Sequence, residues 1–148
     1  MEKKEVQEKI ITQENNKTSE EEFSNIIKLI APGTNLRTAI DGALKSQRGA
    51  LIVVENEQVI PIIDGGFRIN TRFTPQKLIE LTKMDGAIIL SRDTRKINYA
   101  NVLLTPDSKI NSAETGTRHK AAERTAKHVG TLVIAISERK HEIVLFYK

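Results

Sequence analysis

The sequence predicts an α/β fold in which a mixed, largely central β-sheet is flanked by helices. Short, fully apolar segments typical of buried strands alternate with segments whose apolar residues recur at helical spacing. Some strands are paired across a short polar turn, which is typical of hairpins. Aromatic residues make up only 4% of the chain and Trp is absent, so the core must be aliphatic. These observations favour layers of helices and strands over a β-sandwich.

Helix signals dominate the first third of the chain. Residues 1–19 contain few apolar groups and are expected to form a flexible, charged tail, so that the domain covers residues 20–148. A helix is predicted from Glu20 to Ile30, with acidic residues in its first turn. Pro32-Gly33 ends it, and Thr34 caps a second helix that runs to about Ser46.

Strands and helices alternate in the rest of the chain. Apolar runs predict six strands, at Gly49–Val54, Val59–Ile63, Ala87–Ser91, Ile97–Leu104, Leu132–Ser137 and Ile143–Tyr147. Between them, Thr74-Pro75 begins a helix that runs to about Lys83, because Pro is favoured at the first helical position. A last helix is predicted from Arg118 to Val129, closed by Gly130.

Length, composition and charge narrow the function classes. The 148 residues fit one domain, and the absence of Cys excludes a disulfide scaffold, a thiolate metal site and a cysteine nucleophile. No apolar run reaches the ~18 residues of a membrane span and no signal-peptide core is present, so we expect a soluble, cytoplasmic protein without membrane contact. Residues 1–22 hold four Lys and seven Glu, whereas residues 23–148 hold 19 basic and 12 acidic side chains, a balance of +7. A basic domain predicts an anionic partner, such as nucleic acid, a nucleotide or lipid headgroups.

Two segments carry polar or glycine residues that suggest a site. Lys83–Ala87 places Asp85 and Gly86 directly before a buried strand, where a carboxylate beside open backbone suits a divalent cation or a sugar hydroxyl. Ile63–Arg68 contains paired glycines, which allow positive φ or the close approach of a ligand. Each segment alone also fits an ordinary turn. The chain in fact repeats the first tripeptide as Asp41-Gly42-Ala43, inside a predicted helix, where we interpret it as coincidental.

The start of the last predicted helix is a third candidate. The turn Gly116-Thr117 leads into this helix, and its first turn contains Arg118, His119 and Lys120. Cations at a helix N-terminus are disfavoured by the macrodipole, by ~0.3–1 kcal/mol each. An anion bound by the free N–H groups and by these cations would explain them, and polyphosphate is the natural guest. A solvated basic helix start is the alternative.

These segments, in this order, resemble the diadenylate cyclase domain, most closely that of its DNA-integrity-scanning branch. The resemblance covers roughly residues 26–147 and rests on Ile30–Thr34, Gly49–Val53, Asp64–Phe67, Lys83–Ser91, Tyr99–Asn101, Glu114–His119, Ala122–Arg124 and Val133–Ser137. It implies that two ATP condense to the second messenger cyclic di-AMP and release two pyrophosphates, with Mg²⁺ or Mn²⁺ as cofactor. It also implies a homodimer or higher homo-oligomer, in which two ATP-loaded subunits meet face to face.

The resemblance assigns roles to individual residues. Asp85 corresponds to the catalytic aspartate that binds the metal and orients the 3′-hydroxyl, and Arg118 and His119 correspond to catalytic residues of the triphosphate motif. The ATP contacts that it implies are Gly86, Leu104, Thr117, Arg118, His119, Lys120 and Ser137. Among these, Leu104 lies where the family reads adenine through the main chain, with the side chain packing on the ring, although it also fits an ordinary strand leucine. Ser137 matches a phosphate contact.

Two departures from the family pattern keep alternatives open. Lys120 stands where the family usually has Arg, and Lys keeps the charge without the planar fork. DNA-scanning members continue into a helical spine and a helix-hairpin-helix, so we expect no DNA-binding domain in a chain that stops at Lys148. The alternatives to a cyclase are a module that binds ATP or cyclic di-AMP without turnover, and a nucleic-acid binder, which the scarcity of aromatic residues disfavours.

Overall fold

A computed structural model describes residues 7–12 and 20–147. Its helices are α1 (Glu20–Leu29), α2 (Asn35–Lys45), α3 (Pro75–Leu81) and α4 (Thr117–Val129). Its strands are β1 (Gln7–Thr12), β2 (Ala50–Val54), β3 (Ile63–Asp64), β4 (Phe67–Arg72), β5 (Ala87–Leu90), β6 (Lys96–Leu104), β7 (Leu132–Ser137) and β8 (Glu142–Tyr147). None of the helices in these two ranges has the length and apolar character that a membrane span requires.

The predicted helix caps are present at α2 and α3. Thr34 and Thr74 each accept a hydrogen bond from the backbone N–H three residues further on, at 3.2 Å, which satisfies a first-turn donor. α3 ends at Leu81, two residues before its predicted end. α2 packs closely on α3 at Gly42, where a Cβ would overlap the Ile79 side chain. The second Asp-Gly-Ala tripeptide therefore serves helix packing.

The strands form one mixed sheet, as predicted. Their order is β1-β8-β7-β2-β5-β6-β3, and β4 also pairs with β6. β1 is parallel to β8 and β2 is parallel to β5, whereas the other pairs are antiparallel. The sheet thus combines a parallel centre with antiparallel neighbours on both sides.

Helices cover both faces of the sheet. One face packs against α1, α2 and α3 through aliphatic residues such as Leu36, Ile40 and Leu78. The other face packs against α4 through small side chains, including Ala122 and Ala126, which let the helix approach closely. Fully buried aliphatic side chains of this kind contribute roughly 1.5–3 kcal/mol each, so the core holds the ends of the strands in fixed relative positions.

The strand predicted at Val59–Ile63 is wrong. Ile60–Ile62 forms a 3-10 turn, and only the last predicted residue enters a strand. Pro61 lies in this turn and cannot donate a ladder hydrogen bond. Val59 and Ile62 are buried with a spacing of three residues, which is the period of a 3-10 helix. The apolar run was therefore a helical turn packed on the core.

Two strands at the borders of the sheet are absent from the sequence prediction. β4 alternates between exposed and half-buried residues, so it lacks the apolar run on which the other strands were predicted. Residues 7–12 form β1, rather than part of the tail predicted over residues 1–19. The other residues of that segment lie outside the described residues, and the division between tail and domain at residue 20 stays a prediction.

Candidate functional site

The sheet topology brings most of the predicted site residues to one edge. Parallel β2 and β5 begin at this edge, and antiparallel β6 and β7 end there, with Ala50 opposite Ile136 and Ala87 opposite Val102. We call it the binding edge; in order along the sheet it carries Ser137, Gly49, Asp85-Gly86 and Leu104. Strands lie about 4.8 Å apart, so the edge from β7 to β6 spans roughly 14 Å. An extended nucleotide triphosphate can cover that distance.

The start of α4 has unsatisfied backbone donors. Gly116 is the N-cap residue, so no side chain caps the helix, and the first helical hydrogen bond runs from the Lys120 N–H to the Gly116 carbonyl at 2.9 Å. The first turn contains no acidic residue. α2 and α3 differ because each has a Thr cap. The arrangement leaves the N-terminus of α4 able to bind an anion.

Arg118 connects the start of α4 to the binding edge. Its Nη1 donates to the Ile136 carbonyl at 3.4 Å, and its guanidinium fills the space that a Cβ on Gly49 would occupy. The described residues take up one of its five N–H donors, and the side chain stays exposed. Ser137 follows directly on the strand, and its hydroxyl accepts from the Lys140 N–H at 3.3 Å. The start of α4 and the end of β7 therefore bring together the Arg118 guanidinium, the uncapped helix N–H groups and the Ser137 hydroxyl.

His119 is half-buried between α4 and β8. Its ring meets the Phe146 ring edge-on, with a centroid separation of 6.3 Å and an interplanar angle of 78°. Its Nε2 is buried and has no hydrogen-bond partner among the described residues. Its Nδ1 lies on the Gly116 side, 3.8 Å from where a Cβ there would sit. A ligand at the helix start would therefore meet the Nδ1 side of the ring.

Burial lowers the pKa of His119 below its ordinary value. Glu114 and Glu142 oppose this pKa shift, while the charges of Lys140 and Arg118 reinforce it. The net direction favours the neutral imidazole near neutral pH. The fixed positive charge at the start of α4 therefore comes from its arginine and lysine.

The lowered pKa predicts a pH-dependent stability. As pH falls below the ordinary His value of about 6.5, the unfolded chain gains a proton that the folded chain resists, so the free energy of unfolding falls. His119→Gln should remove this component, which chemical denaturation between neutral and mildly acidic pH would measure. Profiles of equal slope for the variant and the parent protein would contradict the expectation.

Asp85 is held by its backbone and leaves its carboxylate free. Gly86 has a φ of +88°, and a Cβ there would lie 2.8 Å from the Val102 carbonyl oxygen, so β5 and β6 can approach here only because residue 86 is glycine. The Asn101 Nδ2 donates to the Asp85 carbonyl at 2.7 Å. The Asp85 side chain is exposed and makes no hydrogen bond or ion pair with the described residues.

Asn101 and Gly49 shape the site, although the sequence predicts no role for either residue. Asn101 has a φ of +57° at an irregularity between β5 and β6, and it contacts both glycine segments, since a Cβ on Gly66 would lie 2.7 Å from its carbonyl oxygen. Asn tolerates left-handed backbone better than most residues, which is a weak sequence signal for this role. Gly49 begins an apolar run that belongs to the family resemblance, but the sequence predicts no role for it in the site. Its contact with Arg118 depends on the fold.

Leu104, Thr117 and Lys120 differ in how far their side chains are exposed. Leu104 is 8% exposed and its side chain lies in the core on the α4 side, which leaves its main chain as the part that faces the binding edge. Thr117 is exposed at the first position of α4. Lys120 is half-buried one residue beyond the ring of His119. The roles of all three stay predictions.

Asp85 fits a cation that is shared with a ligand. Across the described ranges, no group of three or more His, Asp or Glu side chains is arranged to hold a metal ion. Mg²⁺ is commonly bound by one or two carboxylates, substrate phosphates and water, and Mn²⁺ favours similar oxygen ligands. A free carboxylate at the same edge as an uncapped helix start, which can bind an anion, suits such a shared ion.

The chain matches the family model DAC, described as DisA bacterial checkpoint controller nucleotide-binding, over residues 37–148. It is 50% identical over 128 residues to the DNA integrity scanning protein DisA of Acetivibrio thermocellus, and 53% identical over 134 residues to that of Bacillus cereus. These matches cover 86% and 90% of this chain, but 36% and 38% of the two relatives. The chain thus spans little more than a third of the length of these curated relatives.

Two solved structures share the fold. A protein of Bacillus cereus described as a hypothetical membrane spanning protein superposes with a TM-score of 0.70 and 26% identity, covering 84% of this chain and 66% of that one. DacA from Staphylococcus aureus, as an N166C/T172C double mutant, gives a TM-score of 0.61 with 27% identity and covers 84% of each chain. Both likenesses confirm the predicted mixed α/β architecture.

Proposed function

Because the chain belongs to the DAC family of DisA-type nucleotide-binding domains, we propose that it is a diadenylate cyclase. In this reaction two ATP condense to cyclic di-AMP and two pyrophosphates leave. One observation carries the proposal: Asp85 and the uncapped start of α4, which are distant in sequence, lie at the same edge of one sheet. We assign the activity to a domain covering residues 20–148.

The start of α4 would bind the triphosphate. Its first-turn N–H groups have no side-chain cap, and the Arg118 guanidinium offers donors in the planar arrangement that suits phosphate oxygens. Ser137 is 8% exposed and lies one residue beyond the carbonyl that Arg118 contacts. Its hydroxyl accepts from the Lys140 N–H and keeps its own proton, which it would donate to a phosphate oxygen. These groups would stabilise charge as pyrophosphate leaves, which is the main requirement of phosphoryl transfer.

Asp85 would position the attacking 3′-hydroxyl. Asn101 fixes the Asp85 backbone, and the carboxylate is free to accept a hydrogen bond from the 3′-hydroxyl. Bound Mg²⁺ or Mn²⁺ would supply Lewis-acid activation of the hydroxyl and neutralise phosphate charge. The open backbone of Gly86 would allow the ribose to approach, and the main chain of Leu104 would face the adenine.

Catalysis would require two copies of the chain. One chain offers one Asp85 and one start of α4, so it can hold one ATP. Closing the ring requires each 3′-hydroxyl to attack the α-phosphate of the other ATP. We therefore propose a homodimer or higher homo-oligomer in which two binding edges face each other, working in the cytoplasm where ATP is available.

Product analysis tests the proposed function. The folded chain is incubated with ATP and Mn²⁺ or Mg²⁺, and the nucleotides are identified by mass spectrometry. The proposal expects cyclic di-AMP, with two pyrophosphates released for each. Folded protein that yields no cyclic dinucleotide at any protein concentration would overturn it.

Lys120 favours a second candidate, a module that binds ATP or cyclic di-AMP without turnover. Lys places one point charge where the family's usual Arg forms a bidentate fork. Lys120→Arg should therefore strengthen ATP binding by roughly three- to ten-fold. Isothermal titration of the parent and the variant measures the change.

Product assays of the same variant separate the two candidates. If the parent chain already converts ATP to cyclic di-AMP, the cyclase proposal stands and Lys120→Arg only improves the affinity for ATP. If only the variant forms product, the parent is a binding module. Lys45→Arg, an exposed substitution at the end of α2, is the matched control and should change neither affinity nor turnover.

A further inference from the structure

Glu123 is a buried carboxylate on α4, about one helical turn beyond the basic motif. It is 5% exposed, and its oxygens accept from the Lys127 Nζ at 3.1 Å, the Ala113 N–H at 3.3 Å and the Ser112 Oγ at 3.4 Å. A buried charge is costly unless its partners satisfy it, so these three donors and the carboxylate depend on one another. Two of the donors belong to the loop that precedes α4.

The same loop is attached to α4 at three other points. The Arg124 Nε donates to the Ile110 carbonyl at 3.0 Å, and the Lys127 Nζ donates to the Asn111 carbonyl at 3.1 Å. The Asp107 N–H donates to the His128 Nδ1 at 3.0 Å. The chain therefore runs back along α4 from its C-terminal end towards its start. We call residues 105–116 the strap.

The strap joins the two ends of the proposed nucleotide site. It begins directly after Leu104, on the proposed adenine side, and ends at Gly116, the N-cap of α4. Near the end of the strap, Glu123 binds Ser112 and Ala113. The Ser112 Oγ also accepts a hydrogen bond from the Glu114 N–H at 3.1 Å, so the position of Glu114 depends on Glu123 as well. Glu114 is followed by only two residues before α4 begins.

We propose that Glu123 is a positioning residue for ATP, acting through the strap. Its bonds to Ser112 and Ala113 set where Glu114–Gly116 lies, and so the direction in which the uncapped N–H groups of α4 face the phosphates. The inference rests on the proposed nucleotide site, but not on turnover. Glu123 itself need not touch the nucleotide.

Graded substitution at Glu123 tests this role. Glu123→Gln keeps the shape and one acceptor oxygen but loses the charge, whereas Glu123→Ala removes every strap bond at this point. The probe is 3′-deoxy-ATP with Mn²⁺, which binds without being able to cyclise. We expect affinity to fall roughly five- to ten-fold for Gln and further for Ala, since a lost charge-assisted hydrogen bond is worth about a tenfold change.

Two readouts separate positioning from mere stability. Hydrogen exchange of the amides in residues 110–116 should accelerate in both variants, and with ATP as substrate KM should rise while kcat changes little. A purely structural role would lower the unfolding midpoint and leave the affinity of the folded protein unchanged, which would overturn the proposal. Asp41→Asn is the matched control, because it breaks an exposed ion pair at the same i,i+4 spacing on α2.

The outcomes distinguish this inference from the proposed function. If the parent protein binds the probe and converts ATP to cyclic di-AMP, and both Glu123 variants bind the probe with unchanged affinity, only the role of the strap is refuted. If the parent protein binds the probe but never forms cyclic di-AMP, the cyclase proposal is refuted. A graded loss of probe affinity in the two Glu123 variants would still support the positioning role of Glu123. Parent protein that does not bind the probe would contradict both.

Discussion

We expect that replacing Asp85 by Asn abolishes cyclic di-AMP formation while ATP stays bound. Asn has the same shape but no negative charge, so it holds a divalent cation poorly and cannot favour deprotonation of the 3′-hydroxyl. A loss of about 3 kcal/mol or more of transition-state stabilisation lowers the rate by at least roughly a hundred-fold. Since the proposed triphosphate contacts lie at the start of α4, the ATP affinity should change much less. Single-turnover product formation and equilibrium titration measure the two effects separately.

The chain contains a matched control for this substitution. Asp41-Gly42-Ala43 repeats the tripeptide in the middle of α2, where the Asp41 carboxylate pairs with the Arg37 Nε at 3.1 Å. Asp41→Asn should leave turnover unchanged, because an exposed ion pair contributes little to stability. Full activity in Asp85→Asn, or equal losses in both variants, would contradict the assignment of Asp85.

We expect that replacing Arg118 by Ala weakens ATP binding by roughly ten- to a hundred-fold. Charge-assisted hydrogen bonds contribute about 1.5–3 kcal/mol each, and in the proposed site the guanidinium would bind the phosphates between the start of α4 and the binding edge. Titration with 3′-deoxy-ATP gives the affinity independently of turnover. Arg92→Ala is the control, because Arg92 is exposed after the end of β5, at the opposite edge of the sheet.

Gly49→Ala tests the position of Arg118 with the arginine still present. The new Cβ would overlap the guanidinium, which can move because it is the far end of a flexible side chain. The fold should survive and ATP affinity should fall in the same direction as in Arg118→Ala. If Gly49→Ala binds ATP as tightly as the parent while Arg118→Ala does not, the observed position of the guanidinium is not the one that binds.

Much of the fold follows from local patterns in the sequence. Helices α2 and α3 begin at Thr caps, and five of the predicted strands are apolar runs that the core buries on one or both faces. β4 escapes the pattern because an edge strand needs no buried run. Ile60–Ile62 was predicted as a strand because so short an apolar segment, interrupted by Pro61, does not show whether its apolar residues recur at strand or helical spacing.

The candidate site is only partly visible in the sequence. The basic start of α4 violates the macrodipole preference, and the violation is local, so it can be recognised from Arg118 and Lys120 alone. Asn101 and Gly49 act through close contacts between segments that are far apart in the chain, which no local pattern encodes. Glu123 reads as a solvated helix residue, and its burial becomes apparent only when the strap covers it.

A structure of the chain with 3′-deoxy-ATP and Mn²⁺ would show whether Asp85 and Arg118 contact the same nucleotide. We expect one nucleotide per chain at the binding edge, with its phosphates at the start of α4 and its ribose at Asp85, and a second binding edge facing the first. A nucleotide bound elsewhere, or one that Asp85 and Arg118 do not share, would contradict it.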